Sequence, residues 1–139
     1  MKHTFVKHFF IAGLALALAA CGRAAGTAST PAEITITQAD AGKTINLAKN
    51  DILVLTLPGN PTTGYAWELQ PAPDESVLQV AGEPQFVEQD STKLGSPGAM
   101  VFHFTAVGAG QTAVKLVYHR SWETGTPPQD TFEVNVKVR

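Results

Sequence analysis

The C-terminal stretch Phe132-Glu133-Val134-Asn135-Val136-Lys137-Val138-Arg139 decides the fold class. Its apolar side chains fall on one face of an extended chain and its polar ones on the other, the two-residue period of a strand with one face in a core and one in water. The same period runs through Ile34–Thr37, Thr44–Leu47, Ile52–Leu57, Tyr65–Gln70, Val77–Ala81, Gln85–Gln89, Met100–Val107 and Thr112–His119, and no segment after Glu33 carries a helical stripe. Pro and Gly separate these runs at Pro58-Gly59, Pro71, Pro73, Gly82, Pro84, Gly95, Pro97-Gly98, Gly108, Gly110 and Pro127-Pro128, where turns belong. Many short strands so punctuated, in a domain of about 100 residues from Glu33 to Arg139, predict an all-β, immunoglobulin-like antiparallel β-sandwich of about 7–8 strands.

The runs Met100–Val107 and Thr112–His119, separated by Gly108-Ala109-Gly110-Gln111, read as a hairpin. Phe102, Phe104 and Ala106 share the buried face of the first strand; Val114, Leu116 and Tyr118 share that of the second. The matching register sets His119 opposite Ala99 or Val101, and lays 91–98 beside 120–128. A third connection, 59–64, joins these two at the same end if Val77–Gln89 is one strand bent at Gly82-Glu83-Pro84. It lies at the opposite end if that interruption is a hairpin; the bend is the expectation.

The first of the three connections reads Asn60-Pro61-Thr62-Thr63-Gly64-Tyr65. Pro61 fixes its own φ and pushes Asn60 toward extended geometry, the two Thr are β-branched and stiff, and Gly64 permits positive φ where the loop rejoins the sheet. A rigid wedge of small residues is expected, although a plain tight connection favours the same residue types. Trp67 alternates with Tyr65 and Leu69 and reads as a core indole. Trp122 follows a strand in a polar loop rich in Gly and Pro, a place for a binding residue, and Arg120 fits either a surface charge or a stacking partner for Trp122.

Taken in order, Asn60-Pro61-Thr62-Thr63-Gly64-Tyr65, then Gly95-Ser96-Pro97-Gly98, then Tyr118-His119-Arg120-Ser121-Trp122-Glu123 resemble the three signature loops of the chagasin family of cysteine-peptidase inhibitors. The likeness extends over the domain from Glu33 to Arg139. It implies a sandwich whose three loops occupy the active-site cleft of a papain-like cysteine peptidase, reversibly and uncut, with these loop residues as the binding surface. Thr62 would sit closest to the peptidase's catalytic Cys–His pair, Gly95 and Gly98 would meet the enzyme through backbone hydrogen bonds, and Arg120 and Trp122 match the basic and indole residues of the third loop. Two positions depart from the family pattern. Pro97 stands where the family usually has Gly, which removes a backbone donor, and Ser121 stands where it usually has Pro, which loosens the segment before Trp122.

The N-terminus follows a different logic. Lys2 and Lys7 precede an uncharged apolar stretch, Phe9 to Ala20, of about a dozen residues, too short for a bilayer span of about 20 and suited to a signal peptide. It ends in Leu18-Ala19-Ala20-Cys21-Gly22, which resembles a bacterial lipobox. Residues 1–20 are therefore expected to be removed, Cys21 to carry lipid, and 21–32, without a large apolar side chain, to form a flexible tether to the domain at 33–139. Gly22 is not the Asp of an inner-membrane retention signal, so the expected location is the outer membrane, facing the periplasm.

Composition removes other function classes. The 139 residues hold 10 Lys+Arg and 12 Asp+Glu, a formal net charge of −2, which argues against nucleic-acid binding. Cys21 is the single cysteine, so the exported domain has no intrachain disulfide, no thiolate nucleophile and no Cys-ligated metal. In the hairpin register His103 and His119 stand about 13 Å apart along the sheet, too far for one metal ion, and no Gly-x-Ser-x-Gly nucleophile turn is present. The expectation is a monomeric binding protein rather than an enzyme, with no cofactor and no metal. The alternative is a non-inhibitory sandwich lipoprotein, serving envelope assembly or ligand binding.

Overall fold

The computed structural model describes residues 30–89, 92 and 96–139; Cys21, the signal and most of the tether, and Gly95, lie outside the described residues. Nine strands are present among these: β1 (Glu33–Thr37), β2 (Thr44–Leu47), β3 (Ile52–Gly59), β4 (Ala66–Leu69), β5 (Leu78–Val80), β6 (Gln85–Glu88), β7 (Gly98–Ala106), β8 (Gly110–His119) and β9 (Asp130–Val138). They form two sheets, one in the order β1-β3-β7-β5 with β6 also on β7, the other in the order β2-β9-β8-β4.

Alternation explains why the sheets face each other. Phe132, Val134, Val136 and Val138 of β9 are buried while Glu133, Asn135 and Lys137 between them are exposed. Leu53, Leu55 and Leu57 of β3, Phe102, Phe104 and Ala106 of β7, and Val114 and Leu116 of β8 bury themselves in the same core. Fully burying each such Leu, Val or Phe contributes about 1.5–3 kcal/mol, and the two-residue period lets every strand do so while keeping its other face wet.

The expected β7–β8 hairpin does not form. β7 is flanked by β3 on one side and by β5 and β6 on the other, and β8 by β4 and β9, so the two strands lie in opposite sheets. Their apolar faces do meet, across the sandwich instead of side by side. The turn between them is pinned just ahead of β5 by Val107 N–H and Gly108 N–H, which both donate to the Val77 carbonyl at 2.9 and 3.4 Å. His119 consequently pairs with Ala66, not with Ala99 or Val101, and His103 pairs with Val54 in the other sheet.

The sandwich is also not antiparallel throughout. β1 runs parallel to β3, and β2 parallel to β9. The chain reverses twice between β1 and β3, and strands separated by two reversals point the same way; β1 and β2 are edge strands of the two sheets. The bend, by contrast, is as expected. β5 and β6 both pair antiparallel with β7, Leu78 opposite Ala106 and Glu88 opposite Gly98, one after the other along a single edge.

The N-terminal edge is tied down by one carboxylate. Asp51, 6% exposed, accepts from Ala32 N–H at 2.9 Å and Ala48 N–H at 2.7 Å. These two bonds, Ala32's first, hold its carboxyl below the usual carboxylate range against the opposing effect of burial. A group whose pKa is depressed by folding stabilises the fold above its unfolded value, about 3.9, and that contribution is lost as pH falls through the folded value. Thermal melts followed by circular dichroism should therefore show Asp51→Ala less stable than wild type at about pH 7, with the gap closing below about pH 4; a gap independent of pH would remove this role.

Candidate functional site

Strand register brings three connections to one end of the sandwich. Gly59 of β3 pairs with Gly98 of β7, which puts the β3–β4 and β6–β7 connections together. Ala66 of β4 pairs with His119 of β8, and Tyr118 with Asp130 of β9, which adds the β8–β9 connection. The three stretches singled out in the sequence thus converge, although the hairpin that first suggested it is absent.

The β3–β4 loop is stiff by its own hydrogen bonds. Asn60 Oδ1 accepts from Thr62 N–H at 3.1 Å and from the Thr62 hydroxyl at 2.6 Å, while the Asn60 carbonyl accepts from Thr63 N–H at 3.2 Å and the Thr63 hydroxyl at 2.6 Å. Pro61–Thr63 form one 3-10 turn with Asn60 as its cap, and Gly64 closes it at φ +79°. Pro61, Thr62 and Thr63 are exposed at the tip. The wedge is as expected, and its cause is the Asx cap supplied by Asn60.

A column of rings supports this wedge from below. Trp67 is buried, as expected of a core indole, and donates from Nε1 to the Pro58 carbonyl at 2.8 Å. Its ring lies 5.0 Å from that of Tyr118, which lies 5.3 Å from that of Tyr65, and the Arg120 guanidinium carbon caps the column 4.4 Å above Tyr65. The Tyr118 hydroxyl accepts from Asn60 N–H at 3.1 Å, joining the column to the loop cap. Arg120 thus stacks on Tyr65 instead of Trp122.

Arg120 also bridges two loops. Its Nε–H donates to the Thr63 carbonyl at 3.1 Å, and its Nη1 to Glu123 Oε1 at 2.9 Å; the Glu123 carboxylate raises the guanidinium above its ordinary pKa. Trp122 is 66% exposed, with its six-membered ring against Gly64. Ser121 beside it is exposed.

In the β6–β7 connection Ser96 is 8% exposed, its hydroxyl donating to the Pro97 carbonyl at 3.3 Å, whereas Pro97 is exposed. Gly98 lies inside β7, where a Cβ would collide with the Val87 carbonyl and come within 2.8 Å of the Phe86 ring. Packing alone therefore demands glycine at 98. A cleft of about 520 Å³ opens between the loops, walled by Asn60, Tyr65, Pro97, Tyr118, Arg120 and Asp130. Among the described residues no group of three or more His, Cys, Asp or Glu is arranged to hold a metal ion.

Tyr118 and Glu123 stand within the third motif of the sequence but carry no binding role there. Tyr118 alternates with Val114 and Leu116 and so reads as core, and nothing in the sequence assigns Glu123 a partner. Gly64→Ala would set a Cβ 2.5 Å from Trp122 Cη2 on backbone at φ +79°. It should displace the Trp122 indole and cost about 1–3 kcal/mol, read by the Trp122 indole resonance in NMR spectra and by denaturant unfolding; an unmoved indole would contradict the contact.

The comparisons with known proteins agree with this geometry. The family described as "Chagasin family peptidase inhibitor I42" matches residues 46–136. Chagasin of Trypanosoma cruzi is 36% identical over 107 residues, covering 74% of this chain and 96% of its own length. Amoebiasin-2 of Entamoeba histolytica is 31% identical over 107 residues, covering 75% of this chain and 84% of its own. The crystal structure of a cysteine protease inhibitor from Entamoeba histolytica superposes with a TM-score of 0.70 at 25% identity, over 80% of this chain and 99% of that one. With the family match spanning most of the sandwich and the wedge, the aromatic column and the exposed indole gathered at one end of it, the chain belongs to the chagasin family of peptidase inhibitors.

Proposed function

We propose that this protein is a reversible inhibitor of papain-like cysteine peptidases that plugs the active-site cleft with the three-loop end of the sandwich. The observation that carries this reading is the Arg120–Thr63 bond, which fixes the exposed Thr62 tip and the exposed Trp122 as neighbours on one rigid surface. Association costs about 4–15 kcal/mol of translational and rotational freedom, plus the ordering of any mobile loop. A surface already ordered before binding avoids the second cost. Small side chains at Thr62 and Thr63 suit a narrow cleft, and the indole supplies a large anchor of the kind that dominates interfaces. Resistance to cleavage follows because Pro61, Thr62 and Thr63 are folded into a 3-10 turn and do not present an extended peptide to the nucleophile.

Inhibition of papain by residues 22–139 tests the reading. Tight inhibition is expected, reduced by more than about 30-fold in Trp122→Ala, the size of an interface hot spot of about 2 kcal/mol, and abolished in Thr62→Arg, whose side chain obstructs the cleft. Failure to inhibit any papain-like enzyme would favour the non-inhibitory sandwich lipoprotein.

The proposal extends to location: export, lipidation at Cys21 and anchoring to the periplasmic face of the outer membrane. The entry point of the tether supports a useful orientation. Ala32 is held at the start of β3, by Asp51 and by its carbonyl accepting from Ile52 N–H at 2.8 Å, whereas the three loops lie beyond the other end of that strand, about 25 Å away. A lipid at Cys21 would therefore hold the pole opposite the inhibitory loops, leaving them open to a peptidase. Cys21→Ser should shift the protein from the membrane fraction to the soluble one and abolish incorporation of labelled fatty acid; continued membrane retention without label would defeat the anchor.

A further inference from the structure

We infer that Glu123 is a positioning residue, which locks the β8–β9 loop onto the β3–β4 loop through Arg120 and so holds Trp122 ready for binding; this rests on the inhibitory reading above. The four residues Arg120 to Glu123 form a turn closed twice. Its backbone closes when Glu123 N–H donates to the Arg120 carbonyl at 3.0 Å, and its side chains close when Arg120 Nη1 donates to Glu123 Oε1 at 2.9 Å. Trp122 sits inside that turn. The same guanidinium that Glu123 grips donates through Nε to Thr63 and covers the Tyr65 ring.

The chain of contact therefore runs from Glu123 to Arg120, from Arg120 to the wedge, and back to Trp122 through its seat on Gly64. Without the carboxylate the guanidinium keeps its stack on Tyr65 but loses one of the two polar partners, Glu123 and the Thr63 carbonyl, that together fix its rotation about that ring. The side chains of the pair are only 34% and 32% exposed, so the interaction is screened less than a fully solvated one. Residue type does little to stiffen this loop: Ser121 does not fix its own φ as a proline would, and Gly125 stands at φ +81°. The Arg120–Glu123 closure supplies the stiffness that the residue type at 121 does not.

The test uses Glu123→Gln and Glu123→Ala in the full chain, followed by two independent readouts. NMR reports the Trp122 indole and the Arg120 Nε–H; in Glu123→Ala the Trp122 indole should become mobile, with a reduced heteronuclear NOE, and the Arg120 Nε–H should exchange rapidly. The inhibition constant for papain should rise about tenfold, equivalent to about 1.4 kcal/mol, mainly through a slower association rate. Glu123→Gln, which keeps an acceptor without the charge, should fall between Glu123→Ala and wild type, and added salt should weaken wild type while leaving Glu123→Gln unaffected. An unchanged Trp122 indole in Glu123→Ala overturns the inference, and if inhibition is lost all the same, Glu123 acts by touching the peptidase directly. Should wild type inhibit no papain-like enzyme, the inhibitory reading falls, and the NMR result by itself decides whether Glu123 positions the loop.

Discussion

Burial of two apolar sheet faces against each other is the constraint on which this protein depends. Leu53, Leu55 and Leu57 of β3 with Phe102 and Phe104 of β7 form one wall, and Val114 and Leu116 of β8 with Phe132, Val134 and Val136 of β9 form the other. Each central strand must be hydrogen-bonded on both edges while its inner face is covered, which leaves few ways to thread the chain. That threading sets the strand directions, and the directions send three connections to the same pole.

The pole is made rigid by polar and aromatic contacts that the core does not supply. Asn60 caps its own turn, Tyr118 reaches from the sheet to the Asn60 backbone, and Tyr65, Tyr118 and Trp67 stack between the wedge and the core. Arg120 closes the top of this column and links it to the neighbouring loop. Small residues at the tip are thereby held by large ones behind it. Gly64 and Gly98 serve the same arrangement, since each lies where a side chain would strike a neighbour, Trp122 at the first and the Val87 carbonyl at the second. Glycine at these two positions is thus explained by contacts inside the molecule.

The error over β7 and β8 shows where local reading fails. Two consecutive apolar strands separated by a short Gly-rich stretch satisfy every local criterion for a hairpin, and the same pattern is satisfied when the chain crosses to the facing sheet. Only the competition for edges separates the cases: β3, β5 and β6 take both flanks of β7, and β4 and β9 take both flanks of β8. The parallel pairings of β1 and β2 escaped for the same reason, because a period of two states which face a strand buries and not which neighbour it chooses.

By itself the sequence determined the class of fold, the strand segments to within two residues at most ends, the stiffness of Asn60-Pro61-Thr62-Thr63-Gly64 and the core placement of Trp67, because alternation, Pro, Gly and β-branched Thr act over a few neighbouring residues. Its three loop motifs also carried the family. Only the tertiary structure decided that β7 and β8 lie in opposite sheets, that Arg120 stacks on Tyr65, that Tyr118 braces the wedge and that Glu123 faces Arg120. Those contacts join residues that are distant along the chain, or choose one rotamer among several, and their energies exist only once the two sheets have closed and set the loops side by side.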